Sequence, residues 1–128
     1  MFDFHMHSRV SFDSKADPMD MVRAAKAMGL KEICFTDHLD YTPEMDMVFD
    51  TADYAAAYDH LRSDSVLIRR GVEMGLTPTN QAQVKQDLKR REFDFVIGSV
   101  HFVGPHDVYM EDYWQGKDYD TAITTYLE

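Results

Sequence analysis

The chain opens Met1-Phe2-Asp3-Phe4-His5-Met6-His7. Phe2, Phe4 and Met6 alternate with Asp3, His5 and His7, the two-residue period of a strand with one apolar and one polar face. Further along, Asp17-Pro18 reads as an N-cap and a first helical residue, with Asp20 in the first turn. Met21, Val22, Ala25 and Met28 then recur at helical spacing until Gly29 stops the run. The same order repeats outward from this first unit. A strand is expected over Glu32 to Asp37, and a loop with Pro43 leads to a helix near Asp53 to Leu61. A β-rich run from Ser65 to Glu73 precedes a charged helix from about Asn80 to Arg91, and a fourth strand runs from Phe95 to His101. A turn-rich stretch with Gly104-Pro105 and Gly116 ends in a helix from about Asp120 to Leu127. Strands alternating with helices predict a parallel α/β fold rather than a hairpin protein.

With 128 residues, 45% hydrophobic and 28% charged, the chain fits a single globular domain. No apolar run is long enough to cross a bilayer, and no basic, apolar and small-residue succession marks an export signal. The cytoplasm is the expected compartment, with no membrane partner. Cys34, the single cysteine, can form neither an internal disulfide nor a thiolate cluster, and reads as a small buried apolar residue. Thirteen Lys and Arg against twenty-three Asp and Glu give a net charge of −10. That balance repels a phosphate backbone, so no nucleic-acid partner is expected. Six histidines in so acidic a chain supply the nitrogen and oxygen donors that divalent metals prefer.

The donors recur at one place in each unit: His5 and His7, then Asp37 and His38, then Glu73, then His101. Parallel strands joined by right-handed crossovers point the same way, so their C-terminal ends share one edge, where α/β enzymes build their sites. Each member alone has a plainer reading. The His5/His7 pair equally suits the wet face of a half-buried strand, with Asp3 placed to orient one ring if the pair does bind a cation. Asp37-His38 suits a loop or cap, Glu73 a solvated strand end, and His101 a core histidine bonded to a carbonyl. Together they predict a metal cluster. His60 in the second helix, the methionines on helix faces, and the basic end of the third helix (Lys85, Lys89, Arg90 and Arg91) need no site to explain them.

The set His5-Met-His7-Ser8, Thr36-Asp37-His38, Gly71-Val-Glu73 and Gly98-Ser-Val-His101 resembles the polymerase and histidinol phosphatase (PHP) superfamily of metal-dependent phosphoesterases. Tyr113-Trp-Gln-Gly-Lys117, with Tyr126-Leu127-Glu128, is similar to its histidinol-phosphatase branch. The resemblance implies a distorted seven-stranded β/α barrel with up to three divalent metals (Mn, Zn or Fe) at the C-terminal strand face. By position, His5, His7 and Glu73 resemble ligands of a first metal, and Glu73 with His101 ligands of a second. His38 and Asp13, from Ser11-Phe-Asp13, resemble ligands of a third. The implied activity is hydrolysis of a small phosphorylated substrate, L-histidinol phosphate in histidine biosynthesis. Glu73, His101 and His38 are the candidate catalytic residues, and Arg9 could clamp the substrate phosphate through two parallel hydrogen bonds. The cations would activate a water and neutralise phosphoryl oxygens.

The chain departs from the pattern in length. Four β/α units stand where about seven are implied, and the later His and terminal Asp-x-His of the family have no counterpart after His101; His106 comes too soon. The chain is expected to be the N-terminal part of a single PHP domain, residues 1–128, because it stops within a predicted helix. Two alternatives stay open. The substrate could be another phosphomonoester, or the chain could be a non-catalytic metal-binding half barrel that self-associates through its open edge.

Overall fold

The structure, a computed structural model, describes residues 1–41, 46–47, 51–90 and 92–128. Pro43 and Arg91, expected in a loop and at a helix end, lie outside them. β1 (Phe2–Met6), β2 (Glu32–Phe35), β3 (His38–Tyr41), β5 (Leu67–Gly75) and β6 (Phe95–Ser99) form the parallel part of one sheet, with the short β4 (Asp46–Met47) antiparallel to β3. Between them run α1 (Pro18–Ala27), α2 (Thr51–Tyr58) and α3 (Gln81–Arg90). The expected α/β architecture is present as a partial barrel.

The single second strand expected over 32–37 is in fact two. β2 and β3 pair with β5 at the same offset, Glu32 opposite Leu67 and His38 opposite Glu73, so they continue one another across a break at Thr36-Asp37. The strand line thereby reaches Tyr41, and four parallel positions result: β1, β2 with β3, β5, and β6. β5 also outruns its expected end, because Glu73 is followed by Met74 and Gly75 in register with β6. The turn-rich stretch holds a hairpin, β7 (Phe102–Val103) with β8 (His106–Asp107), and a one-turn helix, α4 (Glu111–Trp114). The last helix, α5 (Tyr119–Leu127), begins after Asp118, whose carboxylate accepts from the Thr121 N–H at 2.9 Å.

The alternation expected in β1 breaks. Asp3 lies opposite Ile33 but Met6 opposite Phe35, so β1 carries one extra residue. The bulge changes which side chains face inward. Phe4 reaches across the curled sheet to Phe95 of β6, ring centroids 5.3 Å apart, while Met6 turns to the opposite face and packs on the core. His5 and His7 therefore follow Phe4 onto the inner face. Asp3 does not orient a ring: its Oδ1 accepts from the backbone N–H of His5 at 3.2 Å, inside the bulge.

The core fills the layer between the sheet and its helices. Ile33, Phe35, Leu39, Val72 and Met74 are fully buried from the sheet, and Val22, Ala25, Tyr54, Tyr58 and Val84 meet them from the helices. Phe35 stacks on Tyr58 at 4.4 Å, a geometry worth about 0.5–1.5 kcal/mol beyond the buried area. α1 starts as its sequence dictates, the Asp17 carboxylate accepting from the Met19 N–H at 2.9 Å with Pro18 in the first turn. It ends at Gly29, whose φ of +73° most side chains would strain.

Candidate metal centre

Strand register brings the donors together. β5 carries Glu73 at the centre of the sheet, with His38 of β3 opposite it on one side and Ile97 of β6 on the other. Side chains on the inner face then converge at the strand ends. Nε2 of His5 and of His7 lie 2.7 and 2.8 Å from Glu73 Oε2. Nε2 of His101 lies 3.0 Å from the other oxygen, Oε1, which also accepts from the Ser99 hydroxyl at 2.7 Å. Glu73 thus divides its two oxygens between the first strand and the last.

A second carboxylate adjoins this group. Asp13 Oδ2 is 2.9 Å from His7 Nδ1 and 3.5 Å from His38 Nε2, and the His7 and His38 rings are 4.4 Å apart. His38 and His101 are 4.8 Å apart. All six residues expected as ligands, His5, His7, Asp13, His38, Glu73 and His101, therefore occupy one cluster.

Four other residues lie apart from the cluster; of these, only Asp37 was expected at the shared strand edge. Asp37 is fully buried but turns away from the cluster, accepting from the Ser8 N–H at 2.7 Å and from the Tyr58 hydroxyl. Its backbone lies in the break between β2 and β3, which explains the reversal. The exposed Arg9 guanidinium pairs with Asp17 at the start of α1 rather than with any member of the cluster. His60 lies just past α2, its ring bonded to the Ala56 carbonyl at 2.8 Å, and His106 pairs with Asp112 in the hairpin region.

Sequence reasoning missed Asp40 and Ser99. Asp40 is 2% exposed, and both its oxygens lie within 3.1 Å of His101 Nδ1. A signal existed for each: Asp40 stands two residues after His38, and Ser99 two before His101, the spacing that shares a strand face. Gly75 makes room here, because a Cβ on it would lie 1.8 Å from Asp40 Oδ1.

The electrostatics divide the imidazoles. The hydrogen bond to Glu73, helped by Asp13 and opposed by burial, raises His7 to about 9. Burial disfavours the charged form of His101, but its bonds to Asp40 and Glu73 prevail and raise it to about 10. His38 is buried without such a bond, and desolvation holds it below its ordinary value. For Glu73, burial is outweighed by the bonds from His101, His7, Ser99 and His5, which hold the carboxyl far below the usual range.

This donor set fits divalent metals. Ligand atoms of three triads, His5 with His7 and Glu73, His7 with Asp13 and His38, and His38 with Asp40 and His101, lie within 4.8 Å of one another in each group. Imidazoles and carboxylates at that density are the ligands of Zn²⁺ and Mn²⁺ sites.

Residues 3–128 match the model of the PHP domain. The chain belongs to the PHP domain family. This PHP chain is 40% identical over 111 residues to the histidinol-phosphatase of Lactococcus lactis subsp. lactis (strain IL1403), a match covering 84% of this chain and 41% of that protein. It is 31% identical over 130 residues to a Clostridium acetobutylicum protein named "Probable histidinol-phosphatase", covering 100% of this chain and 50% of the other. The crystal structure of the Lactococcus lactis histidinol phosphate phosphatase, complexed with Zn, L-histidinol and phosphate, superposes with a TM-score of 0.92 at 37% identity. That match covers 98% of the PHP chain and 50% of the crystallised one. The chain spans about half the length of the relatives it matches.

Proposed function

We propose that this chain carries the metal-binding part of a phosphomonoester hydrolase, with L-histidinol phosphate as substrate, acting in the cytoplasm in histidine biosynthesis. The single observation that carries the reading is Glu73, whose two oxygens face different imidazoles, the arrangement of a carboxylate shared by two cations. His5, His7 and Glu73 would hold the first metal, Glu73 and His101 the second, and His38 and Asp13 the third. Bound Zn²⁺ or Mn²⁺ would supply an activated water and neutralise the substrate's phosphoryl oxygens.

The chain's own residues prepare that chemistry. Glu73 stays ionised at every ordinary pH because three imidazoles and a hydroxyl bond to it. Ser99 fixes the rotamer that presents Oε1 to His101, and Asp13 holds His7 from behind, so its Nε2 points to Glu73. Arg9 would serve the phosphate by leaving Asp17, an exposed pair of low cost to break.

The sheet edges also support the reading of residues 1–128 as the N-terminal part of one PHP domain. Phe2 on β1 and Val96 on β6 are exposed at the two sheet edges, where the further half of a longer chain would pack. A second copy of this chain is the other candidate cover, and sedimentation distinguishes them: a monomer at micromolar concentration rejects the self-associated half barrel.

The direct test is phosphate release. Protein carrying the complete domain should hydrolyse histidinol phosphate faster than other phosphomonoesters with added Zn²⁺ or Mn²⁺, and Glu73→Gln should abolish turnover. Undiminished turnover in that variant would remove the mechanism, and equal rates across the substrates would remove the substrate assignment.

A further inference from the structure

Asp40 occupies a position that the ligand scheme leaves without a role. It is 2% exposed, too buried for a carboxylate with nothing to do. Its oxygens lie 3.0 and 3.1 Å from Nδ1 of His101, and Oδ2 lies 3.5 Å from Nδ1 of His38. That His38 nitrogen is buried and has no hydrogen-bond partner among the described residues. On the far side of each ring, Nε2 of His101 faces Glu73 at 3.0 Å, and Nε2 of His38 faces Asp13 at 3.5 Å and Glu73 at 3.9 Å.

A neutral imidazole carries one N–H. A carboxylate beside Nδ1 fixes the proton there and leaves the lone pair on Nε2, the form in which histidine ligates. We propose that Asp40 is a positioning residue shared by two histidines, holding both His101 and His38 with Nε2 turned into the cluster. One buried carboxylate thereby couples two ligands assigned above to different metals. Holding His38 in this way requires the 3.5 Å separation from Oδ2 to close to hydrogen-bond distance, which His101 does not require. Gly75 supplies the space, since any Cβ there would collide with Oδ1. The inference rests on the metal reading of the cluster.

The test uses the 128-residue chain labelled with ¹⁵N-histidine and loaded with Zn²⁺. Long-range ¹H–¹⁵N correlation spectra should show Nδ1–H with metallated Nε2 at both His38 and His101. Zn²⁺ affinity, read by competition with a chromophoric chelator, should fall about 10–100-fold in Asp40→Ala. The loss should touch two binding events, and Asp40→Asn, which keeps an acceptor oxygen, should lie between. Metal on Nδ1 of either ring would make Asp40 a direct ligand and overturn the proposal. A loss confined to one binding event, or none, overturns it equally while leaving the metal reading intact. A wild-type chain that binds no Zn²⁺ removes the metal reading and this inference together. If Asp40→Ala does not fold, the wild-type spectra decide alone.

Discussion

Gly75 and Asp40 share one volume on the inner face: a Cβ at position 75 would sit 1.8 Å from Asp40 Oδ1 and 3.2 Å from His101 Nδ1. Gly75→Ala must therefore move the carboxylate, and with it the imidazole it holds. Overpacking of this kind costs about 1–3 kcal/mol. The variant should show a lowered urea midpoint and weaker Zn²⁺ binding. A midpoint equal to wild type would mean that the strand ends are looser than the structure describes.

The metal-free protein should be most stable near pH 6.5. His7 at about 9 and His101 at about 10 both lie above the ordinary 6.5. Their contribution is complete below that value and is lost as pH rises through the folded values. Glu73, held below its ordinary 4.5, loses its contribution as pH falls, and His38, held below its ordinary value by desolvation, also disfavours the fold as pH falls. Thermal midpoints should decline on both sides, and apparent Zn²⁺ affinity should climb between pH 6.5 and 10 as protons leave the imidazoles. Melting curves that do not change over that alkaline range would contradict the pairing.

Tyr58→Phe should destabilise the fold by about 1–3 kcal/mol. The hydroxyl donates to Asp37, a carboxyl that burial pushes above its usual range. The ring, stacked on Phe35, is kept in the variant, so the loss isolates the hydroxyl's bonds to Asp37 and to the Ser8 hydroxyl. Denaturant titration measures it, and a change below about 0.5 kcal/mol would show that Ser8 alone satisfies Asp37.

Cys34 should resist alkylation in the folded protein. It is fully buried, and desolvation pushes its thiol up to about 12, so little thiolate exists for reaction. Iodoacetamide labelling followed by mass spectrometry should give modification only in denaturant. Rapid labelling under native conditions would place the thiol in solvent.

The parallel strands and the meeting of His5, His7, His38, Glu73 and His101 were legible because both follow from a local period: apolar runs mark strands, and polar residues at their ends share an edge; Asp13, on a loop, came only from the resemblance to the PHP superfamily. Asp37 was misread because the break between β2 and β3 reverses its direction, and a break is set by tertiary hydrogen bonds to Ser8 and Tyr58 that no local pattern records. Asp40 was hidden behind the same error, since the strand was ended before it. Arg9 lies beside the His pair in sequence, yet its side chain follows the turn toward Asp17, a choice made by loop geometry.

The extra residue in β1 has a further consequence for how such a chain tolerates change. Because the phase of the strand shifts between Asp3 and Met6, Phe4 and the two imidazoles lie on the same face of the sheet. Loss of one codon there would leave length and fold nearly as before, yet turn His5 and His7 away from Glu73. Chains aligned to this one with a gap in their first strand are therefore expected to lack the His5 and His7 contacts to Glu73.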